Sequence, residues 1–394
     1  MPINKRIQMN FISLITILVV IISHFSCQKS QNSNPKEGFD SYKFEKEREF
    51  LVHSLSTVEL LDYYPEDSLY LGYTNTPSGK EICLVKENGE IILKKNLQGD
   101  GPDKYGANLS CLGFTEDGDI WAVTSVQVLR YNQNLELLEK FAYKPNHMVN
   151  LYYFTERFQF YRKDSNSASI SFPVNPSGRS RNVFPFEDYS TAKLLELHDQ
   201  SSKLSIEIAP ISERKVTEEF IRVVQEFYAP VFFIDVNSFK MYLTATFDNQ
   251  ITVFDLAMDS VINSINIYYG DPNAVKPGSE ISTNSLKYNA EGWLQSPMNH
   301  KMFKLDSNLL LLEYLSDVSI DPDPENGIFS GSMHKDIFKN NIILFKGEHQ
   351  ISGDLTFPVK GIIMTSLPGN RLLVRVENFE LEDDFTRYHL YRLI

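Results

Sequence analysis

Chemistry in this sequence has to be sought first among its histidines. There are eight in 394 residues, and after His24 they stand alone: His53, His147, His198, His300, His334, His349 and His389. No HExxH, HxH or paired CxxC occurs, so no zinc constellation is expected. No GxSxG elbow is present either. Asn75–Glu81 reads NTPSGKE, which has the flavour of a phosphate loop. It lacks the earlier glycine and the hydroxyl residue after Lys80, so it reads as a turn. Asp321, Asp323 and Glu325 form the densest set of oxygen ligands, in DPDPENG. A calcium loop would place its glycine one position earlier and a glutamate where Ser332 stands. The two prolines make this a stiff, solvated loop. With 51 acidic residues, no glycosidase-type pair separated by ~5–9.5 Å can be picked out by spacing. No catalytic residue, metal site or cofactor is expected.

Loop aromatics offer a different chemistry, that of binding. Tyr105 follows the run Gly99-Asp100-Gly101-Pro102-Asp103-Lys104, and Trp293 stands in NAEGWLQSPMNHK. Both rings could stack on a sugar face. Asp100, Tyr105 and Trp293 are the ligand-binding candidates, although most aromatics in such a chain fill the core. Cys27, Cys83 and Cys111 are the only cysteines. The last two read as buried small hydrophobes rather than a disulfide, since spacing alone does not bring them into bonding range.

The elements that must position these residues are strands. Hydrophobic residues make up 42% and charged residues 23%, which excludes wholesale disorder. From residue 57 onward, period-two alternation returns repeatedly between turn residues. The first unit is TVELLDYY, SLYLGYT, KEICLVK and EIILKKNL, with Asn88-Gly89 as a hairpin signal. Units of the same kind begin near Leu109, Asn150, Val231 and His300, and the sixth has three good strands ending at Ile394. Tandem four-strand meanders are the signature of a β-propeller, all-β with six blades, seven being the alternative count. KFEKEREFLVHSL, residues 43–55, is expected to supply the fourth strand of the last blade and close the ring. A pair of β-sandwiches accounts less well for the even spacing. One segment departs from the pattern. Glu213–Tyr228 places Val216, Phe220, Val223, Val224 and Phe227 on one helical face, predicting a single inserted helix.

The N-terminus carries an address. Lys5 and Arg6 precede the apolar run Phe11–Ser23, which is short for a membrane span. His24-Phe25-Ser26-Cys27 then leads into a polar tether, and this resembles the lipobox of bacterial lipoproteins, with His24 where an aliphatic residue is usual. The resemblance implies a signal peptide over 1–26, a diacylated Cys27 with its tether over 27–42, and a propeller over 43–394. Acyl chains of that kind meet the requirement for stable anchoring. The Gly99–Tyr105 loop, with Lys240–Leu256 and Arg371–Asp384, is similar to the six-bladed, NHL-like β-propeller lipoproteins of Gram-negative bacteria, an uncharacterised branch. That likeness implies a lipid-anchored protein of the cell envelope, on the outer membrane, and carries no activity with it. The net charge of −13 gives nucleic acid no electrostatic foothold. The expected function is a non-catalytic module that binds a glycan, a peptide or an envelope protein. A carbohydrate-active or other hydrolytic enzyme, and a scaffold subunit, are the alternatives.

Overall fold

The computed structural model describes residues 42–106, 108–146, 155–163, 168–174, 192–214, 216–218, 228–270, 294–320, 339–376 and 384–394. The chain divides into two units. The smaller, Met1–Gly38 with Lys276–Gly278, lies outside the described residues; every described element belongs to the larger. Cys27, Trp293 and the Asp321–Gly327 loop also fall outside them, as does most of the predicted helix over Glu213–Tyr228. Its first residue, Glu213, ends a 3-10 turn, Ile211–Glu213, and Glu218 within it is helical.

The larger unit is a six-bladed β-propeller, built almost entirely of antiparallel meanders. Blade one comprises Val58–Tyr64, Leu69–Thr76, Gly79–Lys86 and Ile91–Asn96, counted from the axis outward. Blade two comprises Cys111–Phe114, Ile120–Val123, Gln127–Tyr131 and Leu137–Ala142. In blade three, Ser171–Val174, Lys193–Asp199 and Leu204–Pro210 stand behind an inner segment that starts with Glu156–Arg157 and bridges Ser171 at Tyr161. Blade four is Pro230–Asp235, Lys240–Ala245, Gln250–Asp255 and Ser260–Asn266. Blade five has Leu294–Leu305, Leu309–Ile320 and Lys339–Lys346, with its outer edge broken into His349–Gln350 and Leu355–Thr356. Gly361–Leu367, Arg371–Val376 and Phe385–Leu393 form blade six, and Phe44–His53 completes it from the other end of the chain. The predicted closure is thus the observed one.

Burial explains the two patterns in the sequence. Inner and second strands are covered on both sides by neighbouring blades, so Cys111–Phe114 and Ile120–Val123 are apolar throughout. Outer strands meet water on one side, so Leu137–Ala142 alternates strictly. Cys83 and Cys111 are free and fully buried, and burial pushes both thiols up, Cys83 to about 12.

Each blade is stitched to the next by a polar contact. The Tyr388 hydroxyl of blade six reaches the carbonyl of Val58. Asp62 of blade one accepts from the Phe114 amide at 2.8 Å. Blades two and three pair in parallel, Cys111 with Glu156, the only parallel ladder among the described strands. Gly113 permits this approach: a Cβ there would stand 2.8 Å from the carbonyl oxygen of Phe158. Gln159 grips blade four through the Phe232 carbonyl (3.3 Å) and Ile234 amide (2.8 Å). Lys304 of blade five pairs with Asp235 of blade four, and Lys301 donates to the Ile363 carbonyl of blade six at 3.1 Å.

The two faces of the ring differ. In every blade the chain starts at the axis, so all inner strands run in one sense. The face where they end carries short turns, among them Pro65–Ser68, Glu87–Glu90, Val236–Phe239 and Leu256–Asp259. Several are closed by a left-handed residue, such as Phe239 at φ 52° or Asp259 at φ 49°. The face where inner strands begin, hereafter the head face, receives the connections between blades. The strands that flank 175–191, 321–338 and 377–383 end and resume at this face. Both ends of the ring, Lys43 and Ile394, meet on the tight-turn face, where each amide donates to the other's carbonyl at 3.0 Å.

Candidate functional site

Side chains with chemistry gather toward the head side of the blades, on first, second and third strands. Lys80 opens the third strand of blade one, directly after Gly79. Gly79 sits at φ +114°, and a Cβ there would fall 1.9 Å from Gln98 Oε1, the atom that accepts from the Lys80 amide at 3.1 Å. Glycine at this position lets the turn close and aims Lys80 inward. Its Nζ donates to the Leu109 carbonyl (3.1 Å) and to Thr155 Oγ1 (2.7 Å), and lies 5.1 Å from the centre of the Tyr73 ring. One ammonium therefore ties blades one, two and three together. Burial pulls its pKa down to about 8, with Glu156 pushing back.

This shift has a measurable sign. Between about pH 8 and its ordinary value near 10.5, Lys80 is neutral in the folded protein and protonated in the unfolded one. The unfolded chain binds the extra proton, so this group makes stability rise with pH in that window. Urea denaturation at pH 8 and pH 9.5 is expected to show a gain in wild type that Lys80→Met lacks. Equal pH dependence in both proteins would place the lysine in water.

Around the axis the other blades contribute paired groups. Glu59 of blade one is ion-paired with Arg375 of blade six, both partly buried. In blade five, Glu313 is fully buried and accepts from His300 Nδ1 at 2.9 Å and Asn340 Nδ2 at 3.0 Å. Asn340 also donates to the Gly361 carbonyl of blade six. The ladder slips by one residue between Asn299 and Lys301, and this bulge turns the half-exposed His300 out of strand alternation. With Nδ1 engaged by the carboxylate, Nε2 is the nitrogen left to face outward. Among the described residues no hydroxyl or thiol lies within hydrogen-bonding distance of it, and no three His, Cys, Asp or Glu side chains group as metal ligands. In blade four, Arg214 and Asp248 form an almost fully buried ion pair, with further bonds to Thr252 Oγ1 and the Gln250 carbonyl.

Of the predicted site residues the structure describes Asp100 and Tyr105, and they differ in exposure. Asp100 is exposed at the tip of the Gly99–Gly106 loop, which closes on itself through the Gly99 amide and Gly106 carbonyl at 2.8 Å. Tyr105 is only 1% exposed. Its ring belongs to the wedge between blades one and two, and its hydroxyl donates to the Lys80 carbonyl at 2.8 Å. The ring face is packed, so Tyr105 supports Lys80 rather than presenting a stacking platform. Trp293 and Cys27 lie outside the described residues. Lys80, Glu59, Arg375, His300 and Glu313 were not singled out by the sequence. Their partners are dozens to hundreds of positions away, apart from His300 and Glu313 on adjoining strands.

No protein-family model and no curated protein matches this chain. Solved structures do. A crystal structure of a member of the duf4221 family from Bacteroides vulgatus matches at a TM-score of 0.58 and 12% identity, over 90% of this chain and 98% of that one. The two share a fold. A protein of unknown function from Bacteroides caccae matches at a TM-score of 0.42 and 11% identity, over 79% of this chain and 85% of that one. The Cps50 (Swd1) β-propeller domain of Myceliophteria thermophila gives 0.39 and 9%, over 89% and 100%. At 12% identity the likeness to the duf4221 member speaks to architecture alone.

Proposed function

We propose that this protein is a lipid-anchored propeller of the cell envelope, held on the outer membrane through Cys27, whose head face binds a ligand without turning it over. The observation that carries the reading is the asymmetry between the faces. Tight turns close one face, while the other collects the inter-blade connections and the polar groups of five blades. Toward the head face the charges occur as both signs: Arg375 is paired with Glu59, and Glu156 lies within the field of Lys80. A mouth without one dominant sign suits a polar ligand that is uncharged or zwitterionic, such as a glycan, a peptide or a segment of an envelope protein. The overall charge of −13 argues against nucleic acid.

Thermal unfolding of residues 28–394 against glycans, peptides, and calcium with chelator tests the reading. A ligand at 100 times its Kd adds about 2.7 kcal/mol, a shift of a few degrees in a ring of this size. A flat panel would turn the reading toward a scaffold subunit. The hydrolytic alternative draws on one observation, the His300–Glu313 pair. It requires a group for that imidazole to activate, and predicts turnover of a panel member that is lost in His300→Gln.

A further inference from the structure

The position of the chain ends on the ring says which way the propeller faces on its membrane. Phe44–His53 enters blade six from the tight-turn face, and Lys43 is tied to Ile394 there. Cys27 precedes Lys43 by 16 residues, a reach of at most roughly 55 Å. The chain that leads back to Cys27 therefore joins the ring on the tight-turn face, not on the head face.

Exposed apolar side chains among the described residues follow the same division. Met258 and Leu204 are 65% and 64% exposed, and both stand at tight turns of the outer ring edge. Val236, Val261 and Ile394 are exposed at the same end of their blades. The head face shows Leu55 and Val126. Blades three and four are joined on this side by Lys163 and Asp259, 3.3 Å apart. Single apolar residues on a surface are ordinary. Here they collect on the face to which the anchor is tied, which fits them to the interfacial region of a bilayer.

We infer that the tight-turn face is a membrane-docking surface, seated through Leu204, Val236, Met258 and Val261 on a zwitterionic lipid surface, so that the head face looks away from the membrane. An acidic protein is repelled by anionic lipid, hence the choice of headgroup. The inference rests on the anchoring at Cys27 proposed above, and the test keeps the two apart.

The mature chain, 27–394, is coupled through Cys27 to a thiol-reactive lipid in vesicles of phosphatidylethanolamine and phosphatidylcholine. Cys83 and Cys111 are buried with raised thiol pKa, so they do not compete. This supplies the anchor whether or not cells acylate Cys27, and mass spectrometry of the natural membrane form answers that second question separately. Amide exchange is then compared with the free protein. Expected is slowed exchange over 200–206 and 256–262, unchanged exchange over 76–79 and 124–126, and less slowing when phosphatidylglycerol is added. Leu204→Ser with Met258→Ser, both at exposed sites and checked for unchanged thermal unfolding, is expected to weaken binding of the uncoupled protein to vesicles about 10-fold. Slowed exchange at the head turns, or none at 200–206 and 256–262, would overturn the inference.

Discussion

A chain that begins at residue 57 will not fold cooperatively. It lacks Phe44–His53, the outer strand of blade six, which pairs along its length with Phe385–Leu393. Phe50 and Val52 are buried in this strand, and the Phe50 ring stacks on Tyr388 of its own blade and Tyr70 of blade one. Burying each such side chain contributes about 1.5–3 kcal/mol. Removing the strand also bares the paired edge of Phe385–Leu393. The sum is of the order of the whole stability of a typical domain, about 5–15 kcal/mol. Urea denaturation followed by near-ultraviolet circular dichroism should show no sigmoidal transition, and a peptide of residues 42–56 should restore one. A milder substitution, Phe50→Ala, should cost about 3–5 kcal/mol. A truncated protein that unfolds with wild-type midpoint and slope would show that the ring closes elsewhere.

Removing the guanidinium of Arg214 is the second large effect. Its side chain is 4% exposed and that of Asp248 is not exposed at all. Burial alone would lower the arginine pKa, but Asp248, with Tyr228 beside it, raises it and keeps the guanidinium charged. Arg214→Met leaves the Asp248 carboxylate buried without its partner, which costs about 3–5 kcal/mol. Arg214→Met with Asp248→Asn should recover a large part of that loss, because no buried charge then stands alone. A double-mutant cycle in urea measures it. Losses that simply add would mean that the two groups do not act as a pair.

The fold was written in the sequence more plainly than the site. Strand alternation is a local signal, and the three strands of the last unit leave a place that residues 43–55 fill. Asn88-Gly89 and the turn glycines mark hairpins for the same local reason. Tyr105 shows where local reading fails. An aromatic after a glycine-rich turn looks exposed, yet the loop folds back on itself and drives the ring into the blade wedge. Lys80 is harder still: its environment is made by Leu109 and Thr155, from the next two blades. The window from Glu213 read as one amphipathic helix, and that periodicity gave no hint that Arg214 would face Asp248 across the sheet. His300 and Glu313 lie close in sequence, but the bulge that turns the imidazole outward has no sequence marker.

As proposed, the two faces of the ring meet different partners, ligand at the head and lipid at the tight turns. A photo-crosslinking residue placed at Val126 or at Met258, both exposed, tests it most directly in intact envelopes. Lipid adducts are predicted at position 258 and not at 126, with non-lipid adducts formed at 126. Lipid adducts at 126 and none at 258 would contradict the account.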